Sequence, residues 1–507
     1  MALPIALYRA LDKPLTRLAD NLVRRYHRPH NKRMSSSALP PRYRPDPVFP
    51  TLGEGFSDAV RAADFPETLL RWRNDRAAAE IGLGGLDDAA WLRHFGRFEP
   101  LPGNLPEPLA LRYHGHQFRV YNPDLGDGRG FLFAQMRDGD DRLIDLGTKG
   151  SGTTPWSRRG DGRLTLKGAV RELLATEMLE ALGVPTSRTF SIIETGEKLW
   201  RGDEPSPTRS AVLVRMSHGH IRIGTFQRLA ALGDTARIAA LARYALRYYY
   251  DRDADALAAQ DAAQVAVDLL DAVVTRTADL AASYMVAGFV HGVLNSDNIN
   301  ISGESFDYGP WRFTPYWDPA FTAAYFDEAG LYAFGRQPEA IHWNCAQLAI
   351  SLRPLSEAEP LIAVLEQFGP RYQAAVARRF LWRLGLASVS PESDRALVEA
   401  GEKLMVTDQI PIDRFFFDWR KRIDNGVTGA NDGKSESHQA FAALFGKYRR
   451  VAPDTHDFWQ NSAPESMGID TVEALWSAID ARDEWAPLYQ KVEKIRSMGA
   501  ALREKIQ

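Results

Sequence analysis

Residues 291–309 read HGVLNSDNINISGESFDYG, and they carry the strongest indication of fold class in the chain. The stretch is rich in Gly, Asn and Asp and lacks the helical periodicity of the segments on either side. Asn298 and Asp307 offer an amide and a carboxylate oxygen, which are ligands that Mg²⁺ accepts in proteins. Asp297, next to Asn298, adds a carboxylate that could accept a proton. The pattern therefore predicts a loop that holds a metal ion and performs chemistry, rather than an Asn-rich turn.

The order of these residues is similar to two loops of kinase-like phosphotransferases. The first, His-Gly-Asp-Leu-His-x-x-Asn, is matched at His291, Gly292, Leu294 and Asn298. The second is the metal-binding Asp-Phe-Gly, matched by residues 307–309 with Tyr in place of Phe. The position of the usual catalytic base holds Val293, which can accept no proton. Asp297 is therefore the candidate base, and ordinary phosphoryl transfer is disfavoured.

A lysine and a glutamate upstream complete the kinase-like order. Lys149 ends an apolar strand and is followed by glycines, but it precedes Gly150 and so does not form a Walker A loop. An amphipathic helix predicted over 164–182 carries Glu172. Protein kinases hold the phosphate-binding Lys with a helix Glu in this way. The sequence therefore predicts a Lys149–Glu172 ion pair.

Further residues suited to phosphate lie in glycine-flanked turns and at a strand end. Glycines let a backbone approach a phosphate closely, and arginines donate two hydrogen bonds to its oxygens. The candidates are Gly126, Gly128, Arg129, Arg215 and Arg222, and residues 161–163 (Asp-Gly-Arg) form another glycine-flanked charged turn. A zinc site at His218 and His220 is a second interpretation of the residues at the strand end, although no third ligand is near in sequence.

Composition limits the class of protein. The chain has 507 residues, 45% hydrophobic and 25% charged, with a net charge of −3. This is a globular composition without the basic excess of a nucleic-acid-binding protein. No apolar run approaches the roughly 20 residues of a membrane helix. The single cysteine, Cys345, excludes an in-chain disulfide and suits a reducing compartment, so we expect a cytoplasmic protein without a membrane span or a nucleic-acid partner.

The order of strand-like and helical segments along the chain predicts an α+β protein. A basic N-terminal extension and linker (1–50), for which a transit peptide is the alternative, precedes a strand-rich region with one helix (51–225). A helical region with the polar loops follows (226–350), and then a helical C-terminal region (351–507). The predicted strands lie near 131–134, 143–146, 191–193 and 211–214. The predicted helices after residue 226 are 235–250, 261–287, 340–352, 371–386, 394–405, 435–448 and 469–500.

Between about residues 110 and 345 the chain resembles the selenoprotein O family, in its bacterial form without selenocysteine. The matching stretches, in family order, are 113–118, 125–129, 149–158, 170–172, 182–188, 217–224, 288–298, 306–310, 337–338 and 343–344. The resemblance implies a protein-kinase-like two-lobed fold with a β-rich N-lobe, a helical C-lobe and additional C-terminal helices. It also implies that ATP binds in an inverted pose and that AMP is transferred to Ser, Thr or Tyr hydroxyls of proteins.

The resemblance assigns a role to each candidate residue. Asp297 would accept the proton, Asn298 and Asp307 would bind Mg²⁺ or Mn²⁺, and Lys149, held by Glu172, would bind phosphate. The nucleotide site would be lined by Gly126, Gly128, Arg129, Asp161, Gly162, Arg215 and Arg222. The chain departs from the family at His114 and Arg119 and around His218 and His220.

Two other functions stay open from the sequence. A kinase-like enzyme with a relocated base would transfer the γ-phosphate, and a nucleotide-binding pseudokinase scaffold would transfer nothing. The complete set of Lys149, Glu172, Asn298 and Asp307 argues against the scaffold. UTP with manganese is an alternative donor to ATP, and the sequence does not predict an oligomeric state.

Overall fold

A computed structural model describes residues 43–202, 204–422 and 435–504. Most of the predicted N-terminal extension, residues 1–42, lies outside these ranges. The strands are β1 (Ser57–Ala59), β2 (Leu69–Arg73), β3 (Leu109–Leu111), β4 (Gly115–Gln117), β5 (Val120–Asn122), β6 (Leu132–Arg137), β7 (Leu143–Lys149), β8 (Leu164–Thr165), β9 (Arg188–Leu199), β10 (Thr208–Ser217), β11 (Phe289–Val290) and β12 (Arg312–Phe313).

Eight of these strands form one antiparallel sheet, in the order β1-β3-β6-β7-β10-β9-β2 with β8 paired to β10. Strands β7 and β10 lie in its middle and are buried along nearly their whole length. Successive side chains on a strand point to opposite faces. On β10, Leu213 accordingly joins one hydrophobic cluster, and its neighbours Val212 and Val214 join another on the opposite face. Both faces of the sheet are therefore covered.

Short helices cover one face of the sheet and a long helix covers the other. Helix α1 (Asp75–Glu80) places Ala77 and Ala78, and helix α2 (Asp88–Gly96) places Trp91 and Phe95, in the cluster of Val212 and Val214. Helix α3 (Leu166–Ala181) contacts β9 and β10 from the side of Leu213. Thr165 caps its start by accepting a hydrogen bond from Gly168 N at 3.1 Å. The predicted helix at 164–182 is confirmed to within two residues at each end.

The chain after the sheet is helical, as predicted, apart from the polar segment between α7 and α8. The helices are α4 (Ile223–Ala231), α5 (Thr235–Tyr249), α6 (Ala254–Ala259), α7 (Ala262–Ala287), α8 (Gln337–Leu352), α9 (Ala358–Leu365), α10 (Phe368–Leu384), α11 (Pro391–Thr407), α12 (Ile412–Arg422), α13 (Glu436–Phe445), α14 (Ile469–Arg482) and α15 (Ala486–Arg503). Helix α7 is packed by α5, α8, α9 and α10. The fold is therefore an α+β arrangement of an antiparallel sheet followed by helices.

One predicted helix is wrong. The apolar periodicity over 469–500 suggested a single helix, but the structure has α14 and α15, which are separated at Asp483. Asp483 has φ 51°, a left-handed conformation that ends a helix. Its carboxylate accepts hydrogen bonds from Arg209 at 2.7 Å and from Trp485 Nε1 at 2.9 Å. The contact with Arg209 is tertiary and the one with Trp485 is local, and the apolar periodicity carries no sign of either.

No helix of the described ranges combines the length and the apolar character that crossing a bilayer requires.

Candidate active site

Lys149 lies at the end of β7 and is joined to two carboxylates. Its Nζ is 2.7 Å from Glu172 Oε2 on α3 and 2.8 Å from Asp307 Oδ1. Lys149 and Glu172 are buried, whereas the Asp307 side chain is 25% exposed. The predicted Lys149–Glu172 pair is therefore formed, and Asp307 connects it to the polar loop.

The two predicted arginines face the same carboxylate. Arg215 lies two residues after Leu213 on β10 and so shares its face, opposite Gly147 on β7. Arg215 Nη1 is 3.3 Å from Asp307 Oδ1. Arg222 Nη2 is 4.0 Å from Asp307 Oδ2, and its Nη1 donates to Asp127 Oδ1 at 3.0 Å. Lys149, Glu172, Arg215, Arg222 and Asp307 are called the Lys149 cluster below.

Two donors of this cluster are unused. Within the described residues, the buried Nε atoms of Arg215 and Arg222 have no hydrogen-bond partner. Leaving a buried donor unsatisfied costs about 1–3 kcal/mol. Arg222 also lies over the ring of Tyr113, with its Cζ 4.2 Å from the centroid, which fixes the guanidinium. These two donors are therefore available to a further acceptor.

Asp307 is held in an unusual backbone conformation and in its charged form. Its φ is 64°, in the left-handed region that few side chains adopt without cost. Burial favours the neutral acid, but the charges of Lys149, Arg215 and Arg222 outweigh it and hold the pKa of Asp307 well below its usual range. A strained, permanently ionised carboxylate among cations is typical of a functional site.

Asp297 has the opposite environment. It is buried, and its Oδ1 has no hydrogen-bond partner in the part of the chain that the structure describes. Burial raises its pKa to about 6, although Arg222 acts against this shift. A carboxylate with a free oxygen and a raised pKa can accept a proton near neutral pH. The pKa values of Asp297 and Asp307 are therefore shifted in opposite directions.

The loop that carries Asp297 is held by the hairpin of β4 and β5. His116 N donates to Ser296 Oγ at 2.7 Å, and Phe118 N donates to Asn295 Oδ1 at 3.0 Å. A Cβ on Gly115 would lie 2.9 Å from Asp297 Oδ1, so a larger residue there would displace the carboxylate. This explains in physical terms why the stretch at 113–118 belongs with the site.

Asn298 and Asp307 fit a divalent cation by their chemistry. The amide nitrogen of Asn298 donates to Val293 O at 3.0 Å, which orients the side chain and leaves its oxygen as the possible ligand. One amide and one carboxylate oxygen suffice for Mg²⁺ when phosphates and water complete the shell. The described residues contain no group of three or more His, Cys, Asp or Glu side chains that could hold a metal by themselves.

In the predicted loop at 125–130, Gly126 and Gly128 pack so closely on Trp156 that neither position has room for a Cβ. A Cβ on Gly126 would lie 2.3 Å from Cγ of Trp156, and one on Gly128 would lie 2.9 Å from Trp156 O. Thr154 Oγ1 donates to Asp127 O at 2.5 Å, joining the same two segments. Because Asp127 also binds Arg222, the loop is connected to the Lys149 cluster.

Three predicted site residues make no side-chain contact with the Lys149 cluster. Arg129 is exposed. Asp161 is exposed too, and its carboxylate pairs with Arg201 Nη1 at 2.8 Å. Gly162 has φ 69° and packs on the backbone of Gly152, so it shapes a turn.

The histidines near Arg222 serve structure rather than zinc. His218 Nδ1 lies 2.7 Å from Leu143 O, and its Nε2 lies 3.3 Å from Tyr249 O. His220 Nδ1 lies 3.3 Å from Asp145 Oδ2. Each ring is satisfied by the neighbouring chain, and the zinc interpretation is wrong.

The sequence interpretation missed two residues that hold Arg222, namely Tyr113 and Asp127. Asp127 lies between Gly126 and Gly128 in one of the glycine-flanked turns. The signal for it was an isolated carboxylate in a loop otherwise interpreted as phosphate-binding, where an acid is unexpected. Nothing in the local sequence marks Tyr113 as the ring beneath an arginine more than a hundred residues away.

Comparison with known proteins gives a consistent result. The family model described as protein adenylyltransferase SelO matches residues 42–496. A protein named protein nucleotidyltransferase YdiU from Synechococcus elongatus is 48% identical over 482 residues, covering 90% of this chain and 95% of that protein. Proteins of the same name from Trichormus variabilis and Gloeobacter violaceus are 40% and 42% identical, covering 90% and 89% of this chain.

Proposed function

Because the chain belongs to the protein adenylyltransferase SelO family, we propose that it transfers AMP from ATP to Ser, Thr or Tyr hydroxyls of proteins and releases pyrophosphate. The observation that carries the proposal is the pairing of a three-cation cluster around Asp307 with a separate, partly unsatisfied carboxylate at Asp297. The cations suit a triphosphate, and the carboxylate suits an acceptor hydroxyl.

The proposed architecture is that of a two-lobed protein kinase. The sheet and α3 form the N-lobe (51–225), the loops and helices of 226–350 form the C-lobe, and 351–507 adds further helices. Lys149 and Glu172 come from the first lobe and Asp307 from the second, and their contacts at 2.7 and 2.8 Å support this assignment. ATP would lie between the lobes with its γ-phosphate towards the Lys149 cluster and its nucleoside end towards the acceptor.

Each residue then has a defined part in the reaction. Lys149, Arg215 and Arg222 bind the β- and γ-phosphates, and the unused Nε atoms of the two arginines become satisfied. The acceptor oxygen bonds to the α-phosphorus, the bond from that phosphorus to the bridging oxygen breaks, and pyrophosphate leaves with the electron pair. Asp297 Oδ1 takes the hydroxyl proton. A Mg²⁺ or Mn²⁺ ion held by Asn298 and Asp307 would neutralise phosphate charge.

The remaining candidates line the proposed nucleotide site less directly. Gly126 and Gly128 keep their loop thin where it passes Trp156, and this loop presents Asp127 to Arg222. Arg129, Asp161 and Gly162 belong to the neighbouring turns, and they would contact the nucleotide when it is bound. Val293 supports the inverted pose, because a conventional kinase needs a carboxylate at that position.

Labelled ATP distinguishes the candidate functions. The chain would be incubated with a cell lysate and ATP carrying ³²P at either the α- or the γ-phosphate, with Mg²⁺ or Mn²⁺. Protein-bound label from the α position alone is expected, and label from the γ position alone would show a kinase instead. No protein-bound label from either position, with ATP recovered intact, would show a scaffold, and the same experiment with α-labelled UTP tests the donor.

A further inference from the structure

A second cationic cavity lies away from the Lys149 cluster, between the start of the sheet and the first helices that follow it. Its volume is about 430 Å³. The charged and polar groups that line it are Glu54, Ser57, Arg112, Arg228, Asp234 and Arg237. None of them is a residue of the site described above.

Two of the three arginines are already paired. Arg112 Nε donates to Asp58 Oδ2 at 2.8 Å, and its Nη2 contacts the other oxygen of the same carboxylate. Arg237 pairs with Asp234 at a distance of 2.5 Å. The cavity therefore contains two nearly neutral ion pairs, whose guanidinium groups still have free edges for a further acceptor.

Arg228 is the exception. It projects from α4, is partly buried, and donates from Nη1 to Gly55 O at 3.0 Å. Across the described residues, no carboxylate lies within 4 Å of its guanidinium, and burial together with Arg112 lowers its pKa. Asp58 and Asp234 act on Arg228 electrostatically, but Asp58 is paired with Arg112 and Asp234 is paired with Arg237. His114 and Tyr121, which also face Arg228, bring no fixed negative charge.

We propose that this cavity binds a small molecule bearing a phosphate group, with the phosphate on Arg228 and within reach of Arg112, Arg237 and Ser57. Guanidinium groups match phosphate oxygens in geometry and charge. Among the lining residues, Leu229 and Leu232 carry apolar side chains and six others carry polar or charged ones. The cavity therefore favours a polar ligand. Its volume exceeds that of a phosphate ion and leaves room for a phosphorylated small molecule.

The side chains of Asp58 and Trp156 lie between the cavity-lining Arg112 and Gly126 of the proposed nucleotide site. Asp58 accepts hydrogen bonds from Arg112 and from Trp156 Nε1, the latter at 2.9 Å. Trp156 in turn packs against Gly126, on the side of the nucleotide loop. A phosphate bound at Arg228 would therefore occupy a distinct site.

The test is a titration with inorganic phosphate while the nucleotide site is saturated with a non-hydrolysable ATP analogue and Mg²⁺. Binding would be followed by ³¹P nuclear magnetic resonance and by the unfolding temperature. Saturable phosphate binding is expected, and Arg228→Ala should weaken it by about tenfold or more, because one charge-assisted contact is lost. Arg228→Lys, which keeps the charge, should weaken it less than Arg228→Ala.

The matched control is Arg395→Ala, which removes an exposed arginine from α11 and should leave phosphate binding unchanged. Phosphate binding that is not saturable, or that is equally strong in Arg228→Ala, would overturn the proposal. Titration of the wild type with pyrophosphate and with a sugar phosphate distinguishes a reaction product from a metabolite as the source of the phosphate group. Binding of the ATP analogue and α-label transfer are measured separately, so a failure of this site is distinguishable from a failure of the proposed activity.

Discussion

Two groups of buried arginines and carboxylates lie in different parts of the molecule, and a central arginine in each group uses its Nε atom differently. The Lys149 cluster is the first. The second, here the Asp454 cluster, lies among the C-terminal helices and consists of Arg383, Asp413, Arg420, Arg450 and Asp454. Both contain arginines that are about 95% buried, so burial and charge alone do not distinguish them.

The difference is in the use of donors. In the Asp454 cluster, Arg420 bonds to Asp454 through Nε and Nη2 at 3.1 and 2.9 Å, and Nη1 donates to Arg383 O. In the Lys149 cluster, the Nε atoms of Arg215 and Arg222 are unused. Arg420 joins its helix to the neighbouring segments, whereas the Nε atoms of Arg215 and Arg222 stay available to a further acceptor. The comparison therefore concerns these three arginines, and the variants below test whether the two clusters differ in role.

Removing Asp307 gives the largest expected effect. Asp307→Ala should lower AMP transfer by about 10³-fold, since it removes a proposed metal ligand and the anion shared by Lys149 and Arg215. The free energy of unfolding should change little, because the site is partly open to solvent and ions can replace the carboxylate. Transfer is measured with α-labelled ATP, and unfolding by urea titration. Activity near that of the wild type would show that Asp307 binds no metal needed for the reaction.

The opposite profile is expected of Asp454→Asn. The change leaves Arg420 buried without its partner and should lower the free energy of unfolding by about 3–5 kcal/mol. The rate per folded molecule should stay near that of the wild type at temperatures where the variant is folded. Asp418→Asn is the control, because Asp418 forms an exposed pair with Arg414 on α12, worth less than about 1 kcal/mol. Loss of activity in folded Asp454→Asn would mean that the two clusters do not differ in role.

The sequence predicted the Lys149 cluster more completely than the Asp454 cluster, and the reason is physical. Lys149, Glu172 and Asp307 lie in short motifs, because chemistry requires particular residues at fixed positions along a strand, a helix and a loop. Arg420 and Asp454 lie 34 residues apart, across a segment without such constraints, and any well-packed pair would serve. The break at Asp483 was missed for the same reason, since Asp483 is bound by Arg209, which is distant in sequence.

The site was also only partly predictable. The order of motifs identified the residues that meet at Asp307, but it could not show that Arg129 and Asp161 are exposed. Whether a loop residue points inward depends on the packing of its neighbours, here Trp156 against Gly126, which has no local signature.

Asp297→Asn tests whether Asp297 acts in proton transfer or in nucleotide binding. The amide cannot accept the proton, so AMP transfer should fall by about 10²-fold, while the affinity for ATP stays within about twofold of the wild type. Isothermal titration with a non-hydrolysable analogue measures the affinity, and initial rates with α-labelled ATP measure the transfer. A variant that loses ATP affinity in parallel with its rate would place Asp297 in nucleotide binding instead of proton transfer.

The smallest expected effect concerns the ring that fixes Arg222. Tyr113→Leu keeps an apolar side chain in the buried position but removes the ring over which the Arg222 guanidinium lies at 4.2 Å. Losing this contact, worth about 1 kcal/mol, should weaken nucleotide affinity about fivefold, because Arg222 then samples other orientations before phosphate binds. Tyr113→Phe retains the ring and should bind the nucleotide as the wild type does. Equal weakening in the Phe and Leu variants would assign the effect to the hydroxyl group, and the orientation of Arg222 would then rest on Asp127 and the Phe306 ring.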